Sequence, residues 1–261
     1  MRWLLVVALL SAVCAGEKDK KSEFERAREK AVKKKRPIII VATPSKEDPF
    51  YLKTSQLLKD KKVKHATSAT EKAFLKTECE ENDKQHQKLL ETLQLSPDDK
   101  ALLVCDYQLV VVRSFADVPK ADDLTAAIKE AKQQCKRKKK VMAKIEKLFR
   151  AAKSAFAKSD YKTAGKLCRQ IRQMKNDYEK KYPDDELRSD IFDTLKRWAK
   201  EVKEKALKIL SDSSLQAESG NLGAAVASLK KAEVYKGFDE ELDKILEAQR
   251  HYIEDLMKGK K

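Results

Sequence analysis

Five cysteines (Cys14, Cys79, Cys105, Cys135 and Cys168) are the residues of this 261-residue sequence with the widest chemical reach. Two cysteines spaced as C-x-x-C would exchange disulfides, and cysteines grouped with histidines would hold zinc. The spacings here are wide and irregular, with no C-x-x-C, and His65, His86 and His251 are not clustered with ligand-type neighbours. The pattern matches neither a zinc motif nor a disulfide-dense scaffold, so no metal and no cofactor are expected. Single-thiol chemistry remains, and it needs a thiolate. Cys135 in "QQCKRKKK" and Cys168 in "KLCRQIR" have cationic neighbours that favour one, which makes them the candidate reactive thiols. Cys79 precedes "EEND", whose carboxylates raise a thiol pKa. Cys105 ends the apolar string "ALLVC", the setting of a buried structural cysteine.

The first fifteen residues read as an export signal. "MRW" is a short basic start, "LLVVALLSAV" has the length of a signal core, and Val13 and Ala15 put small residues at a cleavage site after Ala15. Lipid attachment at Cys14 is the competing route, but "SAVC" lacks the usual leucine three positions before the cysteine. No other apolar run is long enough to cross a bilayer, so the remainder is expected in the periplasm or secreted. The chain carries 58 lysines and arginines against 42 aspartates and glutamates, a formal +16. That balance favours acidic partners and contact with anionic surfaces. Most of the lysines alternate with glutamates in helical patterns, as on a solvated helix face. The export signal and the scarcity of aromatics near the basic runs argue against nucleic acid.

The elements that would position any chemistry begin after a charged segment, residues 16–21. Ser22 with Glu25 forms a capping box, and Phe24, Ala27, Ala31 and Val32 give one apolar helix face before "KKKR" and Pro37 end it. "PIIIVAT" is a continuous β-branched run, the mark of a strand buried on both faces. Asp48 and Pro49 are an N-cap and a first-turn proline, opening a helix with Phe50, Leu57 and Leu58 inward. "KAFLKTEC" reads as a second strand, and a short helix from about Lys84 to Leu93 turns Leu89, Leu90 and Leu93 inward. "ALLVC" and "LVVVRSF" read as two strands joined tightly by "DYQ". A closing helix from Ala121 to about Gln134 carries Leu124, Ala127, Ile128 and Ala131. The order α-β-α-β-α-β-β-α combines a parallel crossover with an antiparallel hairpin and predicts a mixed sheet with helices on both faces.

That order, together with "SEFERAREKAVKKKRPIIIV", "YLKTSQLLKDKKV" and "ALLVCDYQLVVVRSF", resembles the thioredoxin-like superfamily, in particular secreted bacterial domains that begin with an alanine-rich helix. The resemblance covers roughly residues 22–135. It places the family's W-C-x-x-C motif on "KEDPF", with Glu47 and Phe50 at the two cysteine positions and Asp48 and Pro49 between them. It also places the family's cis-proline at Lys100, six residues before Asp106. The resemblance therefore implies an α/β fold without dithiol exchange. In that fold the strands of Cys79 and Cys105 flank the central strand on opposite sides, too far apart to bridge.

Residues 136–261 contain no strand signal, and alanine, lysine, leucine and glutamate dominate. "CKRKKKVMAK" is the joint, with a continuing helix as one option. "SDYKTAGKLCRQI" from Ser159 and "GNLGAAVASLKKA" from Gly220 align sixty-one residues apart, with Ala164 and Ala225 in register. Each resembles the turn and second helix of a tetratricopeptide-type hairpin, and the expectation is an all-α bundle of about five or six helices. Ile191, Leu195 and Trp198, followed by Val202, Ala206 and Ile209, share one core face, with Asp190 as the candidate N-cap.

The reading is thus a signal at 1–15, a charged segment at 16–21, a redox-inactive thioredoxin-like domain at 22–135 and a helical domain at 136–261. The expected function is non-enzymatic, a protein-binding or chaperone-like adaptor whose partner is an acidic or exported polypeptide. Two alternatives stand beside it. One is a thiol oxidoreductase or peroxidase using Cys135 or Cys168, and the other is peripheral, electrostatic attachment to anionic lipid or cell-wall polymer.

Overall fold

The computed structural model describes residues 22–78 and 83–259. The expected signal, Cys14, the charged segment 16–21 and Cys79 lie outside the described residues. Two compact units divide the chain, the first ending at Cys135 and the second beginning at Lys136.

The first unit is a four-stranded mixed sheet with helices on both faces. Its elements are α1 (Glu23–Lys34), β1 (Ile38–Thr43), α2 (Pro49–Leu57), α3 (Lys61–Ala66), β2 (Glu71–Lys76), α4 (Lys84–Thr92), β3 (Ala101–Cys105), β4 (Val111–Phe115) and the first part of α5 (Ala121–Ala157). The strand order is β2-β1-β3-β4. β1 pairs parallel to β2 from Ile38↔Glu71 to Thr43↔Lys76, and antiparallel to β3 from Ile38↔Cys105 to Ala42↔Ala101. β4 pairs antiparallel to β3, with a register shift at Val104/Cys105.

All six residues of β1 are buried, because alternate side chains enter different cores. Ile38, Ile40 and Ala42 join Phe24, Ala27, Leu90 and Leu93 from α1 and α4. Ile39 and Val41 join Val63, Leu124, Ala127 and Ile128 from α3 and α5, with Phe50, Leu57 and Leu58 partly buried against them. Local chemistry starts the helices as the sequence predicts. Ser22 and Glu25 form the capping box, and the Asp48 carboxylate accepts from the Phe50 amide at 2.8 Å with Pro49 at the first helical position.

Four details of the elements from α1 to α5 differ from the sequence reading. Val32 is exposed rather than inward, because the seam of α1 runs along Phe24, Ala27 and Ala31 and leaves Val32 on its flank. β2 ends at Lys76, short of "TEC". The connection after β3 spans Asp106 to Val110 instead of "DYQ". The buried Asp106 carboxylate accepts from the amides of Gln108 and Val110, and Leu109 takes φ +61°, so the backbone turns back before Val111 can pair. Finally, the helix opening at Ala121 does not stop near Gln134 but continues through "CKRKKKVMAK" to Ala157.

The second unit holds the remainder of α5, then α6 (Tyr161–Lys181), α7 (Asp190–Glu218), α8 (Leu222–Ala232), a 3₁₀ turn (Glu233–Tyr235) and α9 (Glu240–Met257). The two aligned strings fold alike. Ser159 and Gly220 both take positive φ after a helix, at +59° and +77°. Asp160 and Asn221 then cap α6 and α8 through the amides of Thr163 and Ala224. Ala164 and Ala225 are fully buried, so each second helix lies close on its neighbours. Leu195, Val202 and Ala206 are buried and Ile191, Trp198 and Ile209 partly so, all on the predicted face. The cap of α7 is Ser189, not Asp190: its hydroxyl accepts from the Ile191 amide at 3.3 Å and Asp190 is the first helical residue.

Candidate functional site

The turn after β1 positions the residues singled out from "KEDPF". β1 carries Thr43 to the edge of the core, where its hydroxyl donates to the Ser45 carbonyl at 2.8 Å. Lys46 then reaches back to Glu23 on α1 at 2.5 Å and lies 5.1 Å from the centroid of the Phe74 ring. Tyr51 meets the same ring edge-on at 5.3 Å. Glu47 is exposed and Phe50 is half-buried toward the sheet. Beside the turn is an open hollow of about 640 Å³, lined by Phe24, Arg28, Lys46, Phe74, His86 and Leu89. The His86 ring sits 2.8 Å from the Lys76 carbonyl oxygen at the end of the edge strand β2.

Lys100 and Asp48, distant in sequence, meet here. The ammonium lies 2.9 Å from the Asp48 carboxylate, and the bond before Lys100 is trans. One carboxylate oxygen pairs with Lys100 while the other caps α2. Lys100 and the Phe50 amide together hold the Asp48 carboxyl below the usual carboxylate range. A group of this kind stabilises the fold above its unfolded pKa, and that contribution is lost as pH falls through the folded value. Lys100→Ala is therefore expected to raise the Asp48 pKa toward an ordinary aspartate, read by NMR titration of its carboxyl carbon. The variant should also begin to lose its acid stability at a higher pH than the parent. An unchanged titration would mean that the cap alone depresses the group.

The candidate thiols stand elsewhere. Cys135 is buried on α5 in the first unit, and Cys168 is buried on α6 in the second. The Arg172 guanidinium does pull the Cys168 thiol toward ionisation, but burial is the larger effect and pushes it up to about 11. The sequence signal, cationic neighbours, has the right sign and the wrong weight. Cys105 is also buried, on β3. Iodoacetamide at pH 8 should leave Cys168 unmodified in the folded chain, where roughly one part in a thousand is thiolate. Labelling should appear on unfolding in urea, followed by peptide mass spectrometry. Fast labelling of the folded chain would place the thiol at an accessible surface.

A second concave surface lies on the helical unit, along α6, the segment 186–189 and the start of α7. It encloses about 450 Å³, with Leu187, Phe192 and Leu195 on its apolar side and Lys175, Arg188 and Lys196 among its cations. Lys175 pairs with Glu179 at 3.0 Å and lies 5.3 Å from the Phe192 ring centroid, and Arg188 pairs with Glu186 at 2.8 Å. Asp239 lines the same groove, but its carboxylate is spent capping α9 through the Leu242 amide. Sequence reading missed this groove, because its walls come from segments that are neighbours only after the chain folds back at Tyr182. Among the described residues no group of three or more His, Cys, Asp or Glu could hold a metal ion, and no helix is long and apolar enough to cross a membrane. Comparison with protein-family models, with curated proteins and with solved structures finds no match to the chain.

Proposed function

We propose that the chain is an exported, redox-inactive binding protein. In this reading the first unit is thioredoxin-like and the second is built from tetratricopeptide-like hairpins that hold a polypeptide partner. The strand order β2-β1-β3-β4, with β3 antiparallel to β1, supports the first assignment. The matching turns at Ser159 and Gly220 support the second. In this reading Glu47 and Phe50 take the places of the family's two cysteines, and the Asp48–Lys100 ion pair joins that turn to the position of the family's cis-proline.

The observation that carries the binding role is the groove on α6 and α7. It combines an apolar wall at Phe192 and Leu195 with four cations, Arg172, Lys175, Arg188 and Lys196, against the carboxylates Glu186, Asp193 and Asp239, a positive excess that suits an acidic segment with apolar anchors. Photocrosslinkers placed at Lys196 and Asp193 in the full chain, used at moderate salt in the producing cell, should capture an exported polypeptide. Arg188→Glu with Lys196→Glu should cut that capture at least about fivefold. The reading fails if no polypeptide is captured, or if the reversals leave capture unchanged.

A further inference from the structure

The lysines of the first unit are unevenly neutralised. Lys34, Lys46, Lys76 and Lys100 all lie within ion-pair distance of a carboxylate. The opposite situation holds in an open groove of about 840 Å³ between α3 and the start of α5. Lys61, Lys62 and Lys64 line it from α3 and Lys129 lines it from α5, with Ala66 and Thr125 between them. Only Lys62 has a carboxylate partner there, Asp122 at 3.3 Å. Lys61, Lys64 and Lys129 have none among the described residues.

Three neighbouring acids have partners of their own. Asp60 accepts from the amides of Lys62 and Val63 at the start of α3, Glu71 pairs with Lys34 at 3.5 Å, and Glu130 pairs with Arg113 at 3.9 Å. Crowding among the cations is felt on the edge strand as well, where burial and the Lys64 charge together pull the Lys72 ammonium below its ordinary value. The groove is also held in shape. Lys132 on α5 donates to the carbonyls of Ala66 and Ser68 at 2.8 and 2.7 Å, which ties the end of α3 to α5.

We propose that this face docks the chain on an anionic lipid bilayer, with phosphate-bearing headgroups against Lys61, Lys64 and Lys129. The cations are all lysines, point charges on apolar stems that lie along a surface and present their amines at its rim. Among the lining residues no arginine fork is present for bidentate recognition, and the His65 imidazole is the single ring, short of the row of aromatics that base stacking uses. Juxtaposed lysines of this kind gain about fivefold in partition each at an anionic membrane. The proposal is independent of the polypeptide-holding role, which rests on the helical unit.

The test is co-sedimentation of the full chain with vesicles of phosphatidylcholine containing about a third phosphatidylglycerol. Binding is expected at about 50 mM salt, is expected to collapse at about 300 mM, and is expected to be absent on pure phosphatidylcholine. The triple change Lys61→Gln, Lys64→Gln, Lys129→Gln should lower partition by roughly a hundredfold. A matched triple, Lys230→Gln, Lys231→Gln, Lys244→Gln on the helical unit, should change it by no more than about threefold. Circular dichroism melts coincident with the parent would show that both triples fold. Equal losses from the two triples would mean diffuse net charge and would overturn the site. Displacement by inorganic phosphate at constant ionic strength would overturn it in favour of a free-anion site. Loss of binding to an acidic peptide, with vesicle binding retained, would overturn it in favour of a peptide site.

Discussion

Lys138→Met is expected to destabilise the helical unit by about 3 kcal/mol, the lower end of the cost of breaking a buried pair, because Asp185 keeps Arg137 and the Tyr178 hydroxyl. Lys138 is 0 % exposed, and its ammonium lies 2.8 Å from one Asp185 oxygen while donating to the Glu186 carbonyl at 2.5 Å. Asp185 is itself 2 % exposed. Its other oxygen accepts from the Tyr178 hydroxyl at 2.6 Å and from Arg137 at 3.3 Å, and Arg137 also stacks 4.5 Å from the Tyr182 ring centroid. Burial and the Asp185 charge push the Tyr178 hydroxyl far above its ordinary range, so it stays protonated and keeps donating. For Arg137, burial alone would lower the pKa, but Tyr178 and Asp185 outweigh it and hold the guanidinium charged.

The network anchors the connection between α6 and α7, the same segment that walls the groove at Glu186, Leu187 and Arg188. Urea unfolding at neutral pH, followed through the helical transition, measures the loss. Replacing both members, Lys138→Met with Asp185→Leu, should restore only part of it, because an apolar pair escapes the desolvation cost but leaves the Tyr178 hydroxyl and Arg137 without their acceptor. If Lys138→Met costs less than about 1 kcal/mol, the ammonium is reached by water and the buried pair does not exist. The variant also bears on binding. A loosened segment 182–189 should weaken capture at the groove along with stability.

Gly165→Ala should lower stability by about 1–3 kcal/mol, opposite in sign to what helix propensity predicts. Within a helix, alanine is favoured over glycine by about 1 kcal/mol. Here the space is taken. A Cβ on Gly165 would overlap the carbonyl oxygen of Lys236 and come within 3.1 Å of the Phe238 ring. The facing residue is Gly237, at φ +101°, where a side chain would itself fall 2.6 Å from the Gly165 carbonyl oxygen. The turn cannot retreat cheaply, because the Gly237 amide donates to Asp243 at 2.7 Å and Arg172 donates to the carbonyls of Gly237 and Phe238. Asp243 in turn holds Arg169 at 2.7 Å. A thermal melt decides the matter. A lower Tm for Gly165→Ala, with Gly223→Ala as an unhindered helical control, is the expected result. A higher Tm for Gly165→Ala would mean that α6 and the turn do not approach so closely.

Short-range chemistry was legible in the sequence. The capping box at Ser22 and Glu25 and the Asp48-Pro49 helix start each join groups within a few residues, so their geometry follows from local backbone and side-chain preferences. The β-branched run of β1 marked a strand buried on both faces for the same reason, and the mixed sheet followed from element order. Interactions between distant segments were not legible. "CKRKKK" reads as a charged joint between domains, yet folding buries Lys138 against an aspartate 47 positions away. The basic neighbours of Cys168 suggested a thiolate, while burial, a property of packing and not of neighbours, reverses the outcome. Lys100 came to Asp48 only because β3 lies beside β1. Nothing in the sequence marks Gly165 as a position that excludes a side chain; the turn at Gly237 laid against it does so. The sequence by itself determined the starts of α1 and α2 and the buried faces of β1 and α7, since those depend on spacing along one segment. Tertiary structure alone decided which charges are paired, which thiols are protected and where the grooves lie, since desolvation and Coulomb energy depend on distances that exist only after segments far apart in sequence have packed together.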